Sequence, residues 1–174
     1  MHTSREDLSR KDLSKEELAA FAREKREEIV SVTPFRVRRA VRWSECDPAG
    51  VVYAGNFPEY MLSAIHLFRR HVFDAAWRDI RTSTGTDMPA KAMSMVFNGS
   101  LWPDDVFDIE VHTGEVRTRS FDFEAIATRA ENGSNVFEGR MTAICVSAEN
   151  RGLAVPIPGA LRARLEQWKR PTDA

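Results

Sequence analysis

The chain has only two cysteines, Cys46 and Cys145, among its 174 residues. That is too few for a disulfide framework, and a reducing cytoplasm is the expected setting. No apolar run approaches the ~20 residues that a membrane-spanning helix needs. The opening segment is charged throughout and lacks the apolar centre of an export signal. Neither sign of charge is in excess: 25 basic residues stand against 26 acidic ones, a net charge of −1. Nothing global therefore points to nucleic acid or an anionic membrane. Cys-x-x-Cys and His-x-x-x-His are absent, and the four histidines (His2, His66, His71 and His112) are dispersed, so neither a metal site nor a cofactor is expected. Missing too are Gly-x-Gly-x-x-Gly, the phosphate-binding loop and Gly-x-Ser-x-Gly, which removes dinucleotide binding, nucleoside triphosphate binding and a serine-hydrolase elbow as motif-based readings. There is no internal repeat.

What is present is an ordinary globular composition, 43% hydrophobic and 29% charged. A chain of this length buries roughly two-thirds of its surface without a staple. One domain with an appendage is expected: residues 1–32 as a charged amino-terminal helical extension and 33–174 as the domain proper. Ser14 and Glu17 form a capping box, and the sparse apolar stripe Leu8, Leu13, Leu18, Phe21, Ile29 and Val30 predicts a helix from Lys15 to Ile29. Thr33-Pro34 interrupts it. From Phe35 to Trp43 the residues alternate, with Phe35, Val37, Val41 and Trp43 on one face and Arg36, Arg38 and Arg42 on the other, a half-buried strand.

Between Asn56 and Ile80, apolar residues recur every three or four positions, from Phe57, Tyr60 and Met61 to Ala76 and Trp77. A helix that long crosses a whole domain. Four strand-like runs of about ten residues follow: Lys91–Leu101, Val106–Val116, Phe121–Ala127 and Asn135–Val146, the last with Gly139 as a bulge. Gly159 to Trp168 reads as a closing helix. One long helix with antiparallel strands curling around it is an α+β layout.

The stretch between the first strand and the long helix carries the available chemistry. Asp47 precedes a Pro48-Ala49-Gly50 turn, which is a common structural use of aspartate. Yet the chain then enters a helix at Tyr53, Ala54 and Gly55, whose amides are free to polarise a carbonyl while Asp47 attacks it or activates water. Gly55, without a Cβ, lets a ligand approach the backbone. Cys46 has no base partner in the sequence and reads better as a small buried residue than as a nucleophile.

At these residues the chain resembles the hot-dog-fold thioesterases of the 4-hydroxybenzoyl-CoA thioesterase type. The likeness begins with Glu45-Cys46-Asp47-Pro48-Ala49-Gly50-Val51-Val52-Tyr53 and Asn56-Phe57. It continues through Pro103-Asp104-Asp105, Arg119 to Glu124 and Met141 to Val146, and ends in Pro156 to Arg162. The resemblance implies a five-stranded antiparallel sheet wrapped around one long central helix, assembled as a homodimer or homotetramer with active sites between subunits. It makes Asp47 the catalytic carboxylate, as nucleophile or general base on a thioester, with the polarising amide at or near Ala54. Gly50, Val51, Tyr53, Ala54, Gly55, Asn56 and Phe57 would line the substrate, an acyl-CoA or an acyl carrier protein thioester. Arg117 and Arg119 are candidates for the coenzyme A phosphates. Leu62 stands where many relatives carry an acid after an aromatic-Met pair, and Gly55 where a proline or another residue often occurs, which leaves the acyl group unread. Rival readings within the same fold are a hydratase, which would need a His–carboxylate pair near the helix, and a non-catalytic ligand-binding protein.

Overall fold

The computed structural model describes residues 13–73 and 77–170. His2, Leu8 of the expected amino-terminal stripe, Ala76 and the side chain of Trp77 lie outside what is described.

Helix α1 (Lys15–Glu24) starts with the expected capping box. The Ser14 hydroxyl accepts the Glu17 amide at 3.2 Å, and the Glu17 carboxylate accepts the Ser14 amide at 2.8 Å. The helix stops at Glu24 rather than Ile29, and Glu27–Val32 is strand β1. The reason is long-range. Strand β2 (Phe35–Ala40) sets Arg39 opposite Glu27 and Arg38 opposite Glu28 in an antiparallel ladder. Cross-strand pairing of opposite charges outweighs a weak local helical stripe. The expected boundary between residues 32 and 33 thus falls inside a β1–β2 hairpin.

Beyond β2 the backbone leaves the sheet at a 3-10 turn, Trp43–Glu45. Trp43, expected on the buried face, is consequently 73% exposed. The long helix is present as α2 (Phe57–Phe73), and Trp77–Thr84 forms α3. Strand β3 (Thr86–Asp87) is short. Four long strands follow: β4 (Ala90–Phe97), β5 (Val106–Val116), β6 (Ser120–Arg129) and β7 (Asn135–Ile144). The backbone breaks after Ile144, so Val146–Ser147 is a separate strand, β8, paired with β3. Helix α4 (Gly159–Gln167) closes the domain.

The main sheet runs β1-β2-β5-β6-β7-β4, antiparallel throughout. The five strands expected from the resemblance are there, with β1 added as a sixth beside β2. Helix α2 buries Phe57, Tyr60, Met61, Ala64, Ile65 and Phe68 against the inner face. The Phe68 ring meets Phe123 edge-on at 5.9 Å and Tyr60 packs on Phe107 at 5.5 Å. Each such buried side chain contributes about 1.5–3 kcal/mol. Gly139 is not a bulge; it lies in regular register between Ala125 and Met95. A Cβ there would run into the Met61 side chain, so glycine lets helix and sheet approach closely.

The outer face is charged and internally paired. Arg36 meets Glu110 at 3.0 Å, and Arg38 grips Asp108 with two bonds of 2.7 and 2.8 Å. These arginines are engaged by the facing strand rather than offered to a phosphate.

Candidate active site

Asp47 lies in a tight loop that is tied off on both sides. A bridge between Cys46 and Val52 closes it, with the Asp47 amide donating to the Val51 carbonyl at 2.9 Å. The Gly50 amide returns to the Asp47 carbonyl at 2.9 Å, and Gly50 adopts φ +80°, a conformation that glycine alone takes without penalty. The Asp47 Oδ1 accepts the Ala49 amide at 2.8 Å. That bond fixes the half-buried carboxylate against its own turn and occupies one of its two oxygens.

Helix α2 begins just beyond. A 3-10 turn, Ala54–Asn56, leads into it, its first bond running from the Asn56 amide to the Tyr53 carbonyl at 2.9 Å. The amides of Ala54 and Gly55 precede that bond, so the turn does not consume them. They stand at the positive end of the α2 dipole. The space above Gly55 belongs to its own neighbour: a Cβ at that position would overlap the Tyr53 ring, which is itself 60% exposed. Asn56 spends its side-chain amide on the Glu45 carbonyl at 2.7 Å, and the Phe57 ring is in the core against Phe97 and Phe137. Among the residues expected to line a substrate, Gly50, Val51, Tyr53, Ala54 and Gly55 thus reach the loop surface.

A buried polar cluster lies under this loop, and sequence reasoning missed it. Arg39 is 3% exposed and faces inward, its guanidinium 4.3 Å above the Tyr60 ring. It reaches Glu45 at 3.0 Å and Glu27 at 3.2 Å. Glu45 also accepts the Arg42 amide at 2.8 Å and Arg26 at 3.2 Å. Burial alone would raise the Glu45 carboxyl, but the bonds from Arg42 and Arg39 outweigh it and hold the group below its usual range. Its backbone carbonyl meanwhile takes the Tyr53 amide at 3.0 Å besides Asn56. One residue therefore anchors the Asp47 loop to the interior by its side chain and to the α2 start by its backbone. A signal for the cluster exists in the sequence: Phe35, Val37, Arg39 and Val41 share one parity.

Other candidates are placed elsewhere. Burial and the neighbouring carboxylates Glu45 and Asp47 raise the Cys46 thiol, which keeps it protonated and unsuited to attack. Arg117 is held by Asp122 at 2.9 Å and Glu115 at 2.6 Å, while Arg119 is exposed. A His–carboxylate pair does exist, His112 with Glu124 at 3.0 Å, but it sits on the same outer face as Glu110 and Asp108. The sheet separates it from α2 and Asp47. A cavity of about 560 Å³ lies at the far end of α2, beside α3 and the segment from Asp87 to Ala90, not beside Asp47.

The family model described as the thioesterase-like superfamily matches residues 41–165. That range runs from the end of β2 through the Asp47 loop into α4. Among solved structures, a thioesterase superfamily protein from Jannaschia sp. CCS1 aligns with TM-score 0.70 and 23% identity, over 80% of this chain and 96% of that one. A 1,4-dihydroxy-2-naphthoyl-CoA thioesterase from Synechocystis gives 0.68 and 18%, over 79% and 98%. A 4-hydroxybenzoyl-CoA thioesterase solved with 4-hydroxybenzoyl-CoA gives 0.65 and 20%, over 75% and 96%. At these identities the likeness is one of fold, the hot-dog arrangement of antiparallel sheet around a long helix. No curated protein matches the chain.

Proposed function

The chain belongs to the thioesterase-like superfamily and is a thioester hydrolase, and from that premise we propose that it cleaves an acyl-CoA at Asp47. The observation carrying this is the loop itself: a carboxylate pinned by one oxygen in a turn, directly before the amides that open α2. The thioester carbonyl docks on the Ala54 and Gly55 amides, which stabilise the oxyanion as it forms. The other Asp47 oxygen either attacks the carbonyl carbon or takes a proton from the water that does. The C–S bond breaks, the thiolate leaves and is protonated, and water supplies the hydroxyl of the released acid. Glycine at 50 shapes the turn, and Val51 and Tyr53 flank the entrance.

The working unit in this reading is a dimer. Strand β4 is an edge strand, with Met93 49%, Val96 62% and Phe97 53% exposed. Tyr53, Trp43 and Trp102 are exposed as well, and apolar side chains on an open strand edge mark an association site. A second copy paired along β4 covers it and encloses the Asp47 loop.

The test is thiol release from a panel of acyl-CoAs, with Asp47→Asn beside the native chain. Turnover is expected to fall by about 10²–10⁴-fold in the variant. Equal rates, or no release by the native chain from any thioester, would overturn the assignment.

A further inference from the structure

The cavity at the far end of α2 has no partner in its own chain's chemistry. Helix α2 has 17 residues and spans about 26 Å, so the Asp47 loop of the same protomer is out of reach. Strand β4 supplies the geometry that brings the two together. It runs antiparallel to α2: Phe97 at its end packs on Phe57 at the helix start, while Ala90 at its beginning shares the cavity wall with Phe73 at the helix end. A two-fold axis that pairs β4 with a second β4 antiparallel sets Ala90 of one copy beside Phe97 of the other. The Ala90 wall of one protomer's cavity then lies beside the α2 start of its partner, which the Asp47 loop precedes.

What the cavity is made for follows from its walls. Its volume, about 560 Å³, is that of a small-molecule site. Phe73, Ile80 and Met88 give it an apolar body. Arg69, Arg70 and Arg151 line it together with Asp87, the one carboxylate among its described lining residues. Asp87 is already neutralised, since Arg81 reaches it at 3.2 Å and Arg151 at 3.3 Å. Arg70 is exposed and makes no ion pair among the described residues. An apolar chamber edged by an exposed guanidinium, without an ion pair among the described residues, suits an apolar chain ending in an anion.

Resting on the thioesterase reading above, we propose that this cavity holds the acyl group whose thioester the partner's Asp47 loop cleaves, and that this acyl group carries a terminal carboxylate. Arg70 is its specificity determinant. The carboxylate pairs with Arg70 while the methylene or aryl body lies on Phe73 and Met88.

The experiment measures kcat/KM for glutaryl and pentanoyl thioesters, each on coenzyme A and on phosphate-free pantetheine, for the native chain and for Arg70→Ala and Arg70→Glu. On both carriers the native glutaryl-to-pentanoyl ratio exceeds one; Arg70→Ala lowers it about tenfold, as loss of one charge-assisted bond should. Arg70→Glu inverts it. An unchanged ratio with both acyl groups still hydrolysed overturns the cavity assignment and leaves the thioesterase reading standing. A loss shared equally by both acyl groups, and seen only on coenzyme A, assigns Arg70 to the phosphates and overturns it too. Co-expressing Asp47→Asn with Arg70→Glu chains checks the crossing: mixed dimers carry one fully native site, and glutaryl turnover is restored above either parent. No restoration places cavity and carboxylate in the same chain and sinks the proposal. If no thioester of any kind is cleaved, the thioesterase reading itself has failed.

Discussion

The two ends of α2 are built on opposite electrostatic plans. Beneath its start lies a sequestered, matched cluster: Arg39 is 3% exposed, stacked on Tyr60, and shared between Glu45 and Glu27. At its far end Arg70 stands in solvent and makes no ion pair among the described residues. A buried matched cluster tolerates one geometry, which is what a catalytic turn requires. An exposed cation at a cavity edge is available to bind, which is what a variable substrate group requires. The contrast assigns rigidity to one end of the helix and selectivity to the other.

The largest test of that contrast is removal of the glutamate at the rigid end. Glu45→Ala leaves Arg39 buried without its main counter-charge. Breaking a buried pair by deleting one partner costs about 3–5 kcal/mol. Urea denaturation should show a loss of that size, with thiol release falling alongside because the loop loses its anchor. A loss below about 1 kcal/mol would mean that the cluster is not matched as described.

A smaller effect should appear on the acid limb. The folded Glu45 carboxyl sits below its ordinary value of 4.5. A depressed carboxyl contributes stability that is fully present above the unfolded value and is lost as pH falls through the folded one. Asp122 behaves in the same direction: burial pushes it up, but Arg117 and Thr142 hold it down more strongly. Urea titrations below about pH 5 should therefore show stability declining with acid, and Glu45→Gln should flatten part of that decline while leaving the share due to Asp122. A native-like slope in Glu45→Gln would assign the whole acid limb elsewhere.

Much of this layout is legible in the sequence. The 3.6-residue period marks the buried face of α2, and strict alternation marks β5 and β6. The turn chemistry of Asp47 to Gly50 and the Ser14–Glu17 box are both visible, because each is a local interaction. What escapes depends on distant partners. Residues 27–32 carry a stripe weak enough to serve helix or strand, and only the arginines of β2 decide between them. Arg39 shares the parity of Phe35 and Val37, yet an inward arginine makes sense only once Glu45 and Tyr60 are seen to close around it. Alternation puts Met93, Met95 and Phe97 of β4 on one face, but an edge strand leaves Met93 and Phe97 exposed in the single chain. The cavity escapes for the same reason, since its wall combines α2, α3, β4 and β8.

The smallest expected effect bears hardest on the comparison. Arg70→Ala removes a side chain that is exposed and, among the described residues, makes no ion pair. Surface substitutions of that kind shift stability by no more than about 0.5 kcal/mol. The denaturation midpoint should therefore stay near the native one, in the same assay where Glu45→Ala collapses. A guanidinium that costs nothing to remove from the fold, yet changes which acyl group is cleaved, is there for the substrate. Should Arg70→Ala instead destabilise the chain by about 1 kcal/mol or more, that guanidinium is part of the architecture. The far end of α2 would then be as rigidly built as its start, and the division of labour along the helix would be wrong.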